Sequence, residues 1–120
     1  MELLLLGLGG AAGSIARYKL GSIISQRMNT TFPAGTFIIN ITGAVLLGIV
    51  SGMHVGGNMY LLLADGFLGA YTTFSTFMYE GITLFQGKEK MNAFIYIAGS
   101  LIVGIIGYFI GFETGIRIIY

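Results

Sequence analysis

The sequence predicts an all-α integral membrane protein, and three observations carry that expectation. Charged residues are 9% of the 120 residues and hydrophobic ones 55%, with a mean hydropathy of +0.85, so there is too little polar material for a water-facing surface. Apolar stretches of about 20 residues, the length needed to cross roughly 30 Å of hydrocarbon, recur four times between short polar breaks. The chain also has 20 glycines, which weaken helices in water but let helix backbones approach closely in lipid.

The first span runs from about residue 3 to 25 and ends in the polar turn Gln26, Arg27, Met28, Asn29, Thr30, Thr31. Its start carries Glu2 where a secretory signal would carry Lys or Arg, so it is read as a retained span. Pro33 suits the opening of a second helix, about 34–53, because its missing N–H costs nothing there. That span holds no Asp, Glu, Lys or Arg, and Asn40 is its only strongly polar side chain. The third segment, about 59–85, is too long for one straight crossing and contains Asp65 and Glu80. In its middle, two glycines precede a run of hydroxyl and β-branched residues, which predicts a discontinuous helix broken near 69–75 at mid-membrane. An uncharged fourth span covers about 91–112. Glycine or alanine at four-residue spacing (Gly9/Gly13, Ala44/Gly48/Gly52, Gly107/Gly111/Gly115) marks faces that meet other helices and suggests a two-fold dimer.

Several function classes are excluded early. With no cysteine there is neither a disulfide framework nor a thiolate metal site. A net charge of +1 without any basic run argues against nucleic acid as a partner. No nucleophile–base pair or metal-ligand cluster suggests catalysis, so the protein is read as a non-enzyme.

The densest chemistry lies at the predicted break, where Thr72 to Phe77 places four hydroxyls and two phenyl rings in six residues. Hydroxyl protons can replace water around an anion, and a phenyl edge carries partial positive charge. Backbone carbonyls freed at such a break favour a cation, so an anion track and a bound cation can coexist there. Asn40 must find a partner or face water, as helix-to-helix glue or as a donor to a passing anion. Tyr96 and Ser100, four apart, share a helix face and are equally glue or one wall of a hydroxyl-lined track. Arg17 is either a snorkelling anchor or part of an anion-concentrating vestibule. Glu80 lies too deep for a casual surface charge and needs a partner or water.

These residues resemble a known family. Gly9-Gly10-Ala11-Ala12-Gly13-Ser14-Ile15-Ala16-Arg17-Tyr18, then Gly35-Thr36 with Asn40 and Gly43, then Gly66-Phe67-Leu68-Gly69 followed by Thr72-Thr73-Phe74-Ser75-Thr76-Phe77, are similar to the Fluc (CrcB) fluoride channels. The resemblance spans nearly the whole chain. It implies an antiparallel, dual-topology homodimer, multi-pass in the cytoplasmic (inner) membrane, that exports fluoride passively and lowers cytoplasmic fluoride toxicity. It further implies Phe74 and Phe77 as pore phenylalanines, Asn40 as a pore-lining donor, and Ser75, Thr76, Glu80, Tyr96 and Ser100 as parts of the polar tracks. Arg17 would line the vestibule, and a structural, non-transported sodium ion would be held by the backbone carbonyls of Gly69 and Thr72. The partners so implied are fluoride, the lipid bilayer and a second copy of the chain. Asp65 departs from the family pattern, which expects a neutral residue before Gly-Phe-x-Gly. The alternative is a small four-helix proton-coupled exporter of cationic drugs or guanidinium, but that chemistry wants a carboxylate deep in the first helix, where only Glu2 stands at the end.

Overall fold

A computed structural model describes residues 2–27, 33–72, 75–87 and 89–119, without the side chains of Ser75 and Thr76. The described residues are helical almost throughout: α1 (Glu2–Arg27), α2 (Ala34–Gly52), α3 (Gly57–Tyr60), a π-helix (Leu61–Leu68), α4 (Gly69–Tyr71), α5 (Ser75–Gln86) and α6 (Lys90–Ile119). Pro33 stands immediately before α2, where its fixed φ and missing N–H suit a helix start. The turn after α2 passes through His54 at φ 55 and Gly57 at φ 61. Both α2 and α6 are long and apolar enough to cross a membrane.

Two helix pairs make up the body: α2 packs most extensively on α6, and α1 on the π-helix. Glycine permits both approaches. A Cβ on Gly48 would run into the Tyr108 carbonyl and one on Gly111 into the Val45 carbonyl, while Gly9 and Gly13 lie against the carbonyls of Leu62 and Phe67. The small-residue spacing thus reads out as backbone-to-backbone contact. It also explains why α6 continues past the expected end at Phe112. Gly115 extends the same stripe onto the Ile49 carbonyl, while Glu113, Thr114 and Arg117 face outward.

The π-helix is the departure that sequence reasoning did not anticipate. Its wider turn carries Gly66 against Gly9, with the Gly9 Cα 3.1 Å from where a Gly66 Cβ would stand. Such segments are rare and short.

Gly111→Val should therefore cost several kcal/mol, because the obstruction is backbone on both sides and cannot turn aside; overpacking of about 1–3 kcal/mol or more is the expected scale. Gly7→Ala, with nothing within 4 Å of the new Cβ, should be neutral or slightly stabilising. Thermal melts of the two purified variants check the contrast, and a Gly111→Val protein melting like its parent would contradict this packing.

Candidate functional site

An open groove of about 760 Å³ runs along the α2 face that carries Asn40, Gly43, Ala44 and Leu47. These positions recur at helical spacing, so one stripe of α2 forms its floor. Gly69, which opens α4, and Thr72, which follows it, contribute one wall. Phe77 of α5 and Ser100 of α6 contribute to the others. Five of the residues expected to act together thus meet in one place. Most of the remaining lining is aliphatic or aromatic, which lowers the local dielectric and strengthens each polar contact.

Behind Phe77 lies a second polar group. The ring of Phe77 packs on Tyr96 at 5.1 Å between centroids and 48° between planes. Tyr96 is fully buried. Glu80 accepts a 2.5 Å hydrogen bond from Thr36 Oγ1, and the Tyr96 hydroxyl lies beside both. A carboxylate in apolar surroundings needs such a donor. Thr36 has no role in the sequence reading, although the sequence carries a signal for it. It stands one turn before Asn40 on α2, and a deep carboxylate such as Glu80 requires a neighbouring donor.

Ser100 is the complementary case. Its Oγ is buried and has no hydrogen-bond partner among the described residues, so the fold carries the desolvation cost of that hydroxyl without an internal return.

The end of α4 supplies acceptors. Thr72 leaves helical geometry at φ −81, ψ 156, and the next described helix begins at Ser75. Thr72 N–H and Thr72 Oγ1 both donate to the Leu68 carbonyl, at 3.0 and 2.9 Å. The carbonyls of the last turn lie at the partially negative end of the helix. Gly69 is exposed on the groove side. Hard, flexible-geometry cations take oxygen donors of this kind. Among the described residues no group of three or more His, Cys, Asp or Glu is placed to hold a metal.

Arg17, half-buried on α1, is not among the groove residues. Phe74 lies outside the described residues, as do the side chains of Ser75 and Thr76. Asp65 is exposed on the π-helix.

The open, mostly apolar groove thus gathers an amide residue (Asn40), a hydroxyl residue (Ser100) and a phenyl ring (Phe77) beside the break at Thr72. Comparison with known proteins supplies the family. The profile of the CrcB-like protein family, Camphor Resistance (CrcB), matches residues 4–112. The chain is 62% identical over 111 residues to a protein of Clostridium acetobutylicum named fluoride-specific ion channel FluC 2, covering 92% of this chain and 95% of that one. It is 45% identical over 115 residues to the Bacillus cereus protein of the same name, covering 96% and 98%. To the fluoride-specific ion channel FluC of Acidobacterium capsulatum it is 41% identical, covering 99% of each chain. The match of family profile and relatives over nearly the full length shows that this chain belongs to the CrcB family.

Proposed function

We propose that this chain is a subunit of a fluoride-specific ion channel, which gives passive efflux of fluoride across the cytoplasmic membrane and so lowers fluoride toxicity. The observation that carries the reading is the groove itself. It joins Asn40, Phe77 and Ser100, with a buried Ser100 hydroxyl that has no internal partner, in a chain whose relatives are named for fluoride conduction. In this reading the Ser100 side chain, which borders the groove, rotates its hydroxyl outward and donates to a permeating anion.

The helices are taken to cross the bilayer four times, with the third crossing discontinuous at Thr72. The 46 Å longest extent of the described chain suits a bilayer of about 40–45 Å including its headgroups. Wide exposure of apolar side chains on α1 and α6, among them Leu3, Ile15, Leu101 and Phe109, suits lipid and a second subunit. A groove open along one face is completed by an antiparallel copy of the chain, giving a dual-topology homodimer. Phe74, Ser75 and Thr76 join Phe77, Asn40, Tyr96, Ser100 and Glu80 along the path, and Arg17 concentrates anions at its mouth. The Gly69 and Thr72 carbonyls of both subunits hold a structural sodium ion, whose positive charge favours the anion path without itself moving.

Ser100→Ala separates function from folding. Removing an unsatisfied buried hydroxyl should leave stability unchanged or raise it by up to about 1 kcal/mol, while fluoride flux falls several-fold. Flux and melting temperature measured on the same preparation check this. Flux equal to the parent's would take Ser100 off the path.

Growth of a fluoride-sensitive bacterial strain tests the reading in cells. Expression of this chain should restore growth on fluoride without conferring guanidinium resistance. Guanidinium resistance without fluoride resistance would replace it with the exporter alternative.

A further inference from the structure

Tyr71 is the last residue of α4, directly before the point where the chain leaves helical geometry. It is nearly buried, in a cluster with Ile39 and Leu68, and its ring stacks on Phe67 at 5.8 Å and 14°. Its hydroxyl lies 2.9 Å from Thr42 Oγ1. The direction of that bond follows from proton counting. Thr42 has a single hydroxyl proton and donates it to the Ile39 carbonyl at 3.0 Å, so Tyr71 is the donor to Thr42. One residue along α2, Gly43 leaves room for the methyl group of Thr72, which a Cβ at that position would strike.

The end of α4 is thereby tied to α2 twice, through Tyr71 to Thr42 and through Thr72 to Gly43. Asn40 and Gly43 of α2 line the groove, as do Gly69 and Thr72 of the α4 end. Thr42 and Tyr71 are not among its lining residues.

We propose that the Tyr71–Thr42 hydrogen bond is a positioning clamp. From behind the groove it sets the end of α4 against α2, and so fixes the distance between the Asn40 amide and the rim formed by Gly69 and Thr72. Tyr71 and Thr42 are positioning residues that touch neither ion. The functional half of the inference rests on the channel reading above; the mechanical half does not.

The cleanest perturbation is Tyr71→Phe, which keeps the ring, its burial and its stacking on Phe67 and removes only the donor. A hydrogen bond of ordinary net strength corresponds to roughly a 3- to 10-fold change in a local equilibrium. Hydrogen–deuterium exchange of the purified full chain, followed by mass spectrometry, should show that rise for the amides of residues 68–72, while those of α6 stay at the parental rate. Thr42→Val should do the same, Thr42→Ser should restore protection, and the double variant Tyr71→Phe/Thr42→Val should be no worse than the worse single one. In reconstituted vesicles, the sodium concentration giving half-maximal fluoride flux should rise by a similar factor in Tyr71→Phe. A purely structural role would instead raise exchange throughout α2 and α6 and leave that sodium midpoint unmoved, which would overturn the proposal. Additive single effects, or parental exchange at 68–72, would overturn it as well. Should the parent's flux show no response to sodium, the sodium part of the channel reading fails by itself. The clamp then stands on localised exchange with a lowered fluoride rate, and falls if exchange is unchanged.

Discussion

Asn40→Asp should reduce fluoride flux by about three orders of magnitude in a protein that still folds and elutes as its parent does. The two side chains have nearly the same size and shape, so the α2 stripe that floors the groove is preserved. What changes is the charge facing a passing anion. Two like unit charges about 4 Å apart interact by roughly 4 kcal/mol at an effective dielectric of 20, and each 1.4 kcal/mol is about tenfold in rate. The amide's donor is lost in the same substitution. Asn40→Ser, which keeps a small donor, should retain a measurable fraction of the flux. Fluoride efflux measured on both variants decides the matter, and parental flux through Asn40→Asp would remove Asn40 from the path.

Phe77→Ile is expected to lower flux by about tenfold or more while leaving the protein assembled. Phe77 lines the groove and also packs on Tyr96, so the same ring touches both the groove and a buried neighbour. Isoleucine preserves much of the apolar volume but has no positive ring edge to offer an anion. A loss of about tenfold corresponds to about 1.4 kcal/mol of transition-state stabilisation, which the ring edge supplies in this reading. Size-exclusion chromatography separates the two possible causes of loss. Reduced flux from a protein that elutes normally supports a direct contact with the anion; reduced flux with altered elution or a collapsed melting transition assigns Phe77 to the core it shares with Leu84, Ala93 and Tyr96.

Much of the fold was legible because it is written in coarse features. Long apolar runs bounded by polar turns and Pro33 locate the helices, and glycine at four-residue spacing locates their contacts. The all-helical class follows from these; the glycine stripes, which suggest a dimer in the sequence, are instead filled within the chain, where α2 meets α6 and α1 meets the π-helix. The π-helix at 61–68 was not legible, since Leu-Leu-Leu-Ala-Asp-Gly-Phe-Leu has no local preference for an i to i+5 pattern; that turn depends on where Gly9 meets Gly66. The C-terminal part of α6 was hidden by Glu113 and Arg117, which suggest an exit from lipid but do not interrupt a helix.

The site was legible at the level of residue type. Residue type marks Asn40, Phe77 and Ser100, and the family resemblance marks Gly69 and Thr72; the five line one groove, and flux through their variants decides the role of each. The pairings were not legible. Thr36 to Glu80 joins residues 44 apart in sequence and Thr42 to Tyr71 residues 29 apart, and no spacing rule along one helix connects them. A hydroxyl on an apolar helix reads the same whether it bonds its own backbone, as Thr83 does to the Tyr79 carbonyl, or reaches across to another helix.

Efflux from liposomes is the most direct test of the central claim. Vesicles holding the purified protein are loaded with potassium fluoride, potassium exit is triggered with valinomycin, and a fluoride electrode reads the external solution, with potassium chloride vesicles run in parallel. The account predicts rapid fluoride release without any imposed proton gradient, together with negligible chloride release. No fluoride release from well-folded protein with sodium present, or equal release of both anions, would contradict it.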